Sequence, residues 1–309
     1  MRIQFIVPFL RPYDSRTVRE QPCGGTERST IFLGEALARL GHEIRHACTD
    51  EQAAAVESDW PEVVISPWGH PFPRFPRARK VWWPHQFTDR PFIWQQAPLV
   101  RRHADDVVTL SVAHQSEFQR VLGMESVVIG HGVWHAEVHQ VVAKEPAKLV
   151  YCSVPQRGLD LVPSLFRHIQ AAEPEARITI CSSLLTWGRP EEDQHFDELF
   201  AQLRDLPGVT LLGGVDQARL YAELATAAVF FYPCTYRETY CMALDEAMAH
   251  GCVPVFTRCG ALPERFPPSP RLVHSAVEAI RSARRRRAAV PVPPDWSTVA
   301  ERWHHLLTS

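Results

Sequence analysis

In the stretch YRETYCMALDEAMAHGCVPV, residues 236–255, Glu238 and Glu246 stand eight positions apart in a mostly small and apolar run that leads into a glycine. Eight residues of an ideal helix turn through about 800°, leaving the two carboxylates roughly 80° apart and not stacked as an i, i+4 pair would be. With a helix starting near Thr239, Glu238 stands at its positive end and Glu246 two turns further in, while Tyr240, Leu244, Ala247 and Met248 form the buried stripe. Two acceptors at different depths suit hydroxyl groups on two parts of one extended ligand. The competing reading is a surface helix carrying two solvated glutamates.

Three other segments carry chemistry. CGGTERS, residues 23–29, lies between a strand-like run and a helical one, where a parallel sheet offers its backbone amides to an anion. Gly24 and Gly25 permit close approach of a bulky anion and Thr26 is a candidate helix cap; a plain turn is the alternative. In YCSVPQRGLDLV, residues 151–162, a strand-like run ends in a loop with Ser153, Arg157 and Gly158, and Asp160 falls in the first turn of the next helix. An arginine beside a helix amino terminus suits a diphosphate leaving group, because dipole and guanidinium act on the same charge; an incidental arginine in a capping loop is the alternative. His131, His135 and His139 would align as zinc ligands on a helix, but Gly130 and Gly132 argue against a continuous helix there, so they read as linker residues.

These residues need a scaffold. A chain of 309 residues suits two ordinary domains, and 45% hydrophobic with 22% charged residues marks a folded globular composition. The net charge of -2 gives no global attraction to nucleic acid or anionic lipid. The opening MRIQFIVPFL is too short an apolar run for a signal peptide or a membrane span and reads as a first buried strand. Eight cysteines without a CxxC pair point to reduced thiols and a cytoplasmic protein.

Apolar runs alternate with helical stretches: IQFIVPF, STIFLGEALARLGH, EIRHACT, EVVISP, KVWWPH, DVVTLS and SVVIGHG, then LVYCSV, LVPSLFRHIQAAEP, RITICSS, VTLLGG, ARLYAELATAA, VFFYPC and VPVFT. This predicts an α/β protein of two doubly wound halves with a ligand cleft between the carboxyl ends of two parallel sheets. We expect a first domain over residues 1–140, a second over 141–294, and a final helix, DWSTVAERWHHLLTS, capped by Asp295 or Ser297 with Trp296, Val299, Trp303 and Leu306 as its apolar face. The run Arg284 to Arg287 is a solvated helix end or a site for phosphate, lipid headgroups or nucleic acid.

The segment YPCTYRETYCMALDEAMAHGCVPVFTRCGALPE, residues 232–264, resembles the family 4 glycosyltransferases of the GT-B fold, with an E-x7-E motif before a glycine, a PV strand and a GALPE-like loop. The GGTERS loop, the ALARLGHEI helix, VVIGHGV and YCSVPQRGLD are similar to other parts of that family, and DWSTVAERW to its last helix, which crosses back to the first domain. The resemblance implies transfer of a sugar from a nucleotide diphosphate sugar, a UDP- or GDP-sugar, with retention and without a cofactor or metal. No DxD motif is present to hold a divalent ion. Glu238 would then reach the transferred sugar and Glu246 the nucleotide ribose. Arg157, Ser153 and the amides around Gly24, Gly25 and Thr26 would reach the diphosphate, with Thr239, Tyr240 and Cys241 beside the donor. The family's cleft histidine would be His85, with Asp89 nearby on the acceptor side.

The chain departs from the family in its lone Arg157 in the phosphate loop, where many relatives have two basic residues, and in HGVW at the hinge. The acceptor is open: the loops of HPFPRFPRARKVWWPHQFTDRPFIWQQ suit stacking on a glycan, a lipid-linked sugar, a small molecule or a modified nucleic acid, or are packed aromatic structure. Weak contact with the inner face of a membrane and the oligomeric state are equally open. A nucleotide-sugar 2-epimerase and a non-catalytic sugar-nucleotide-binding protein are the competing functions.

Overall fold

The computed structural model describes residues 1–9, 11–138, 142–285 and 290–309. Among them eleven strands form two wholly parallel sheets. The first comprises β1 (Arg2–Ile6), β2 (Glu43–Ala47), β3 (Val63–Ser66), β4 (Arg79–Trp82), β5 (Asp106–Thr109) and β6 (Val127–Val128), in the order β2-β1-β3-β4-β5-β6. The second comprises β7 (Glu145–Cys152), β8 (Arg177–Cys181), β9 (Val209–Leu211), β10 (Ala227–Tyr232) and β11 (Val253–Phe256), in the order β11-β10-β7-β8-β9.

In each sheet the chain winds outward from its first strand and then returns to that strand's other side. Strand order therefore reverses between β1 and β3, and again between β7 and β10. At such a point successive loops leave toward opposite faces of the sheet and open a crevice at its carboxyl edge. The loop holding Ser153 and Arg157 leaves β7, and the one holding Glu238 leaves β10, so both stand at the second reversal. The strands there are continuous apolar runs because helices cover both faces; every residue of β10 is buried.

Several local expectations change. The helix after β10 runs from Met242 to Ala249, not from Thr239. Residues 238–241 lead into it irregularly, and Cys241 is the one non-glycine among the described residues with positive φ, at 81°. The ideal-helix offset between the two glutamates therefore does not apply, and neither glutamate is a solvated surface group, since Glu238 is 4% and Glu246 3% exposed. Gly24, not Thr26, occupies the cap position of the Gly25–Arg39 helix. Asp160 lies in a short 3-10 turn that precedes the Val162–Ala172 helix.

The last helix, Trp296–Thr308, is capped by Asp295, whose carboxylate accepts from Ser297 N at 2.9 Å. Its Trp296, Val299, Ala300, Trp303 and Leu307 share one apolar core with Ile3, Phe5 and Leu33 of the first domain. The hinge passes directly beneath it: a Cβ on Gly132 would lie 2.8 Å from Trp296 N, so only glycine fits.

Most of the aromatic segment proposed for the acceptor is packed structure. Phe72, Phe75, Trp82, Trp83 and Phe87 are buried, and only Trp94, at 51%, is widely exposed. His131 is buried at the hinge, whereas His135 lies in a short 3-10 turn; His139 lies outside the described residues. Arg284 ends its helix in ion pairs with Glu173 and Glu175, while Arg286 and Arg287 lie outside the described residues. All eight cysteines are free. Among the described residues no helix is long and apolar enough to cross a membrane.

Candidate functional site

A cavity of about 480 Å³ lies between the carboxyl edges of the two sheets, a size suited to a small ligand. Gly24, Gly25, Thr26 and His85 line it from the first domain, and Ser153, Arg157, Glu238, Thr239, Tyr240, Cys241 and Glu246 from the second. Asp89 is not on this wall; it is 47% exposed in its side chain and 3.8 Å from Arg237.

Glu238 Oε1 accepts from Arg157 Nη1 at 2.7 Å and from the Tyr232 hydroxyl at 2.6 Å. Two glycines build this arrangement. Gly158, at φ 89°, brings the Arg157 loop so close to the end of β10 that a Cβ would meet Pro233 O at 2.1 Å. Gly260, at φ 55°, presses the GALPE loop onto Glu238, where a Cβ would lie 2.2 Å from the Glu238 carbonyl oxygen. Burial is the largest influence and disfavours the Arg157 charge, but the Glu238 carboxylate together with Tyr232, Cys241 and Tyr236 outweighs it and holds the guanidinium pKa above its ordinary value. Arg157 Nε is buried with no hydrogen-bond partner among the described residues, and the guanidinium lies 4.7 Å over the Tyr236 ring.

Glu246 is held in a parallel way. Its Oε1 accepts from Arg28 Nη2 and, at 3.2 Å, from the Tyr221 hydroxyl. Burial raises the Glu246 pKa against the opposing pull of Arg28. Arg28 belongs to the Gly25–Arg39 helix, so this ion pair joins the two domains.

His85 Nδ1 is 3.1 Å from Thr26 Oγ1, and its carbonyl accepts from Thr239 Oγ1 at 3.0 Å. Its Nε2 is buried with no partner among the described residues, and burial pushes the ring pKa down to about 3, so the imidazole is neutral near pH 7. On the wall of the same cavity the buried Glu27 carboxyl is pushed up to about 7, again chiefly by burial. Among the described residues, no three His, Cys, Asp or Glu side chains are grouped to hold a metal ion.

Residues 236–240 cross the cleft as a strap. Tyr236 OH donates to Gln86 Oε1 at 2.6 Å, Arg237 pairs with Glu117, Thr239 bonds the His85 carbonyl, and Tyr240 OH donates to the His131 carbonyl at 2.7 Å. Glu238, in the middle, bonds within its own domain through its carboxylate.

The structure adds residues to the site that sequence reasoning passed over. Glu27 and Arg28 stand inside the quoted CGGTERS segment, where attention fell on the glycines. Tyr232 carried a signal of its own, as a hydroxyl at the carboxyl end of an otherwise apolar strand. Tyr221 carried none, because its value depends on where its helix packs.

Comparison with known proteins now bears on this geometry. Residues 146–284 match the family described as glycosyl transferases group 1. No curated protein matches the chain. Among solved structures, sucrose-phosphate synthase from Thermosynechococcus elongatus is similar with a TM-score of 0.74 at 14% identity, over 99% of this chain and 98% of that one. HepE from Anabaena, in complex with UDP and glucose, gives 0.73 at 14% identity over 99% of each chain. AviGT4, a glycosyltransferase involved in avilamycin A biosynthesis, gives 0.63 at 18% identity over 99% of this chain and 97% of that one.

Proposed function

We propose that this chain, whose residues 146–284 match the glycosyl transferases of group 1 and whose fold is GT-B, is a glycosyltransferase whose cleft moves a sugar from a nucleotide diphosphate sugar to an acceptor hydroxyl with retention of configuration. The observation that carries this reading is the convergence of Glu238, Arg157 and the Gly24–Gly25 helix terminus, from three distant stretches of chain, on one cavity. The fold relative HepE binds UDP and UDP-glucose, which supports a uridine nucleotide ahead of a guanosine one.

In the reaction the bond between the sugar's anomeric carbon and the diphosphate oxygen breaks. A bond to the acceptor oxygen forms on the same face, and the acceptor proton passes to the departing phosphate. The main catalytic contribution is stabilisation of negative charge growing on that phosphate. We assign this to the Arg157 guanidinium and the amides at the helix terminus, not to a divalent ion. Glu238 accepts from hydroxyls of the transferred sugar and Glu246 from the ribose. His85, neutral because it is buried, offers its Nε2 edge to the sugar or the acceptor without adding charge.

The test is a thermal-shift screen of UDP-, GDP-, ADP- and dTDP-sugars followed by NMR of the product's anomeric proton. A donor at a hundred times its Kd stabilises the native state by about 2.7 kcal/mol, which raises Tm measurably. Retained anomeric configuration, with loss of donor binding in Arg157→Ala, is the expected result. A panel in which no nucleotide sugar moves Tm would overturn the reading.

A further inference from the structure

We propose that Tyr232 is a positioning residue that lets Arg157 change partners, from the Glu238 carboxylate to a donor phosphate; this rests on the phosphate-binding role given to Arg157 above. Glu238 Oε1 carries two close donors at almost equal distance, Tyr232 OH at 2.6 Å and Arg157 Nη1 at 2.7 Å, with the weak Cys234 Sγ donor further off at 4.0 Å. A buried carboxylate stripped of its only cation would be left as an uncompensated charge, so an arginine that alone held Glu238 would be costly to remove. A second donor that stays in place lowers that cost.

The two donors differ in freedom. Tyr232 is fully buried, and its ring is fixed between Tyr151 and Phe230, with centroids 5.7 and 5.4 Å away. Its one proton is committed to Glu238, so in the contact 3.3 Å away the Ser153 hydroxyl is the donor and Tyr232 the acceptor. Arg157 lies at the cavity wall with its guanidinium over the face of Tyr236, a surface on which a planar cation slides without losing contact. Ser153 and Tyr232 stand at the ends of neighbouring strands β7 and β10, so the static side of the exchange is built into the sheet. An arriving phosphate takes the guanidinium, and Glu238 stays oriented by the phenol.

The experiment measures binding of inorganic pyrophosphate to the full chain by calorimetry at pH 7.5. Tyr232→Phe keeps the ring and should weaken binding about 10- to 100-fold, the worth of a hydrogen bond to a charged group. Glu238→Gln, which loosens Arg157 from its partner, should tighten binding, and adding Tyr232→Phe in that background should change nothing further. Unchanged affinity in Tyr232→Phe overturns the proposal, as does the same weakening in the Glu238→Gln background, which would mark a purely structural effect. Failure of Glu238→Gln to tighten binding also overturns it, whatever the folding of the tyrosine variant. Pyrophosphate binding untouched by Arg157→Ala would overturn both this proposal and the phosphate role on which it rests.

Discussion

Each of the two cleft glutamates gives one carboxylate oxygen to an arginine and a tyrosine: Glu238 to Arg157 and Tyr232, Glu246 to Arg28 and Tyr221. The local solution to burying a carboxylate is therefore the same at both. The origin of the partners differs, since Arg157 and Tyr232 belong to the domain of Glu238, whereas Arg28 reaches Glu246 from the other side of the cleft. One cluster survives any separation of the domains; the other exists only while the cleft is closed. The difference teaches that equal chemistry at two sites does not mean equal dependence on the assembled molecule.

The largest effect should separate the two in catalysis. Glu238→Gln should lower kcat by about 10²- to 10³-fold while leaving affinity for free UDP unchanged or tighter, whereas Glu246→Gln should weaken UDP binding, as steady-state kinetics and calorimetry would show. Equal behaviour of the two variants would break the comparison. In stability the order reverses: Arg28→Met leaves Glu246 buried without a cation and should cost about 3 to 5 kcal/mol in chemical denaturation. Arg28→Met combined with Glu246→Gln should recover most of that loss.

A smaller effect comes from pH. The folded pKa of His85 is depressed to about 3, so its contribution to stability is present above the unfolded value near 6.5 and is lost progressively as pH falls toward 3. Lowering the pH from 7 to 5 should cost about 2 kcal/mol through this residue alone, and His85→Asn should remove that share of the acid sensitivity. Smaller again is Tyr221→Phe, at about 1.5 kcal/mol, the low end for a bond to a charged acceptor because this one is 3.2 Å long. Smallest is Asp89→Asn, exposed and away from the cavity, which should leave stability within about 0.5 kcal/mol and kinetics unchanged.

The central strands were legible because a parallel strand covered on both faces must be a continuous apolar run, and VFFYPC or LVYCSV is such a run. The resemblance located Glu238, Glu246 and Arg157, and all three stand on the cavity wall. The helix start was misplaced because Cys241 takes a backbone conformation that residue type would assign to glycine. Asp89 was grouped with His85 by closeness in sequence, yet the loop turns its side chain to solvent. The aromatic segment suggested a binding face because composition alone does not separate Phe72, Trp82 and Trp83, which fill the core, from Trp94, which does not. Arg28 as the partner of Glu246 was beyond reach, since the two are 218 positions apart and meet only through closure of the cleft.

The strap of residues 236–240 ties the Glu238 side of the cavity mechanically to the first domain. Its bonds to the first domain fall on both sides of Glu238, at Tyr236 and Arg237 before it and at Thr239 and Tyr240 after it. A separating force is therefore delivered to the backbone flanking that carboxylate, which is itself anchored from behind by Tyr232. The segment acts as a loaded beam with its fixed point at mid-span: any opening of the cleft and any reshaping of the cavity around Glu238 become one displacement.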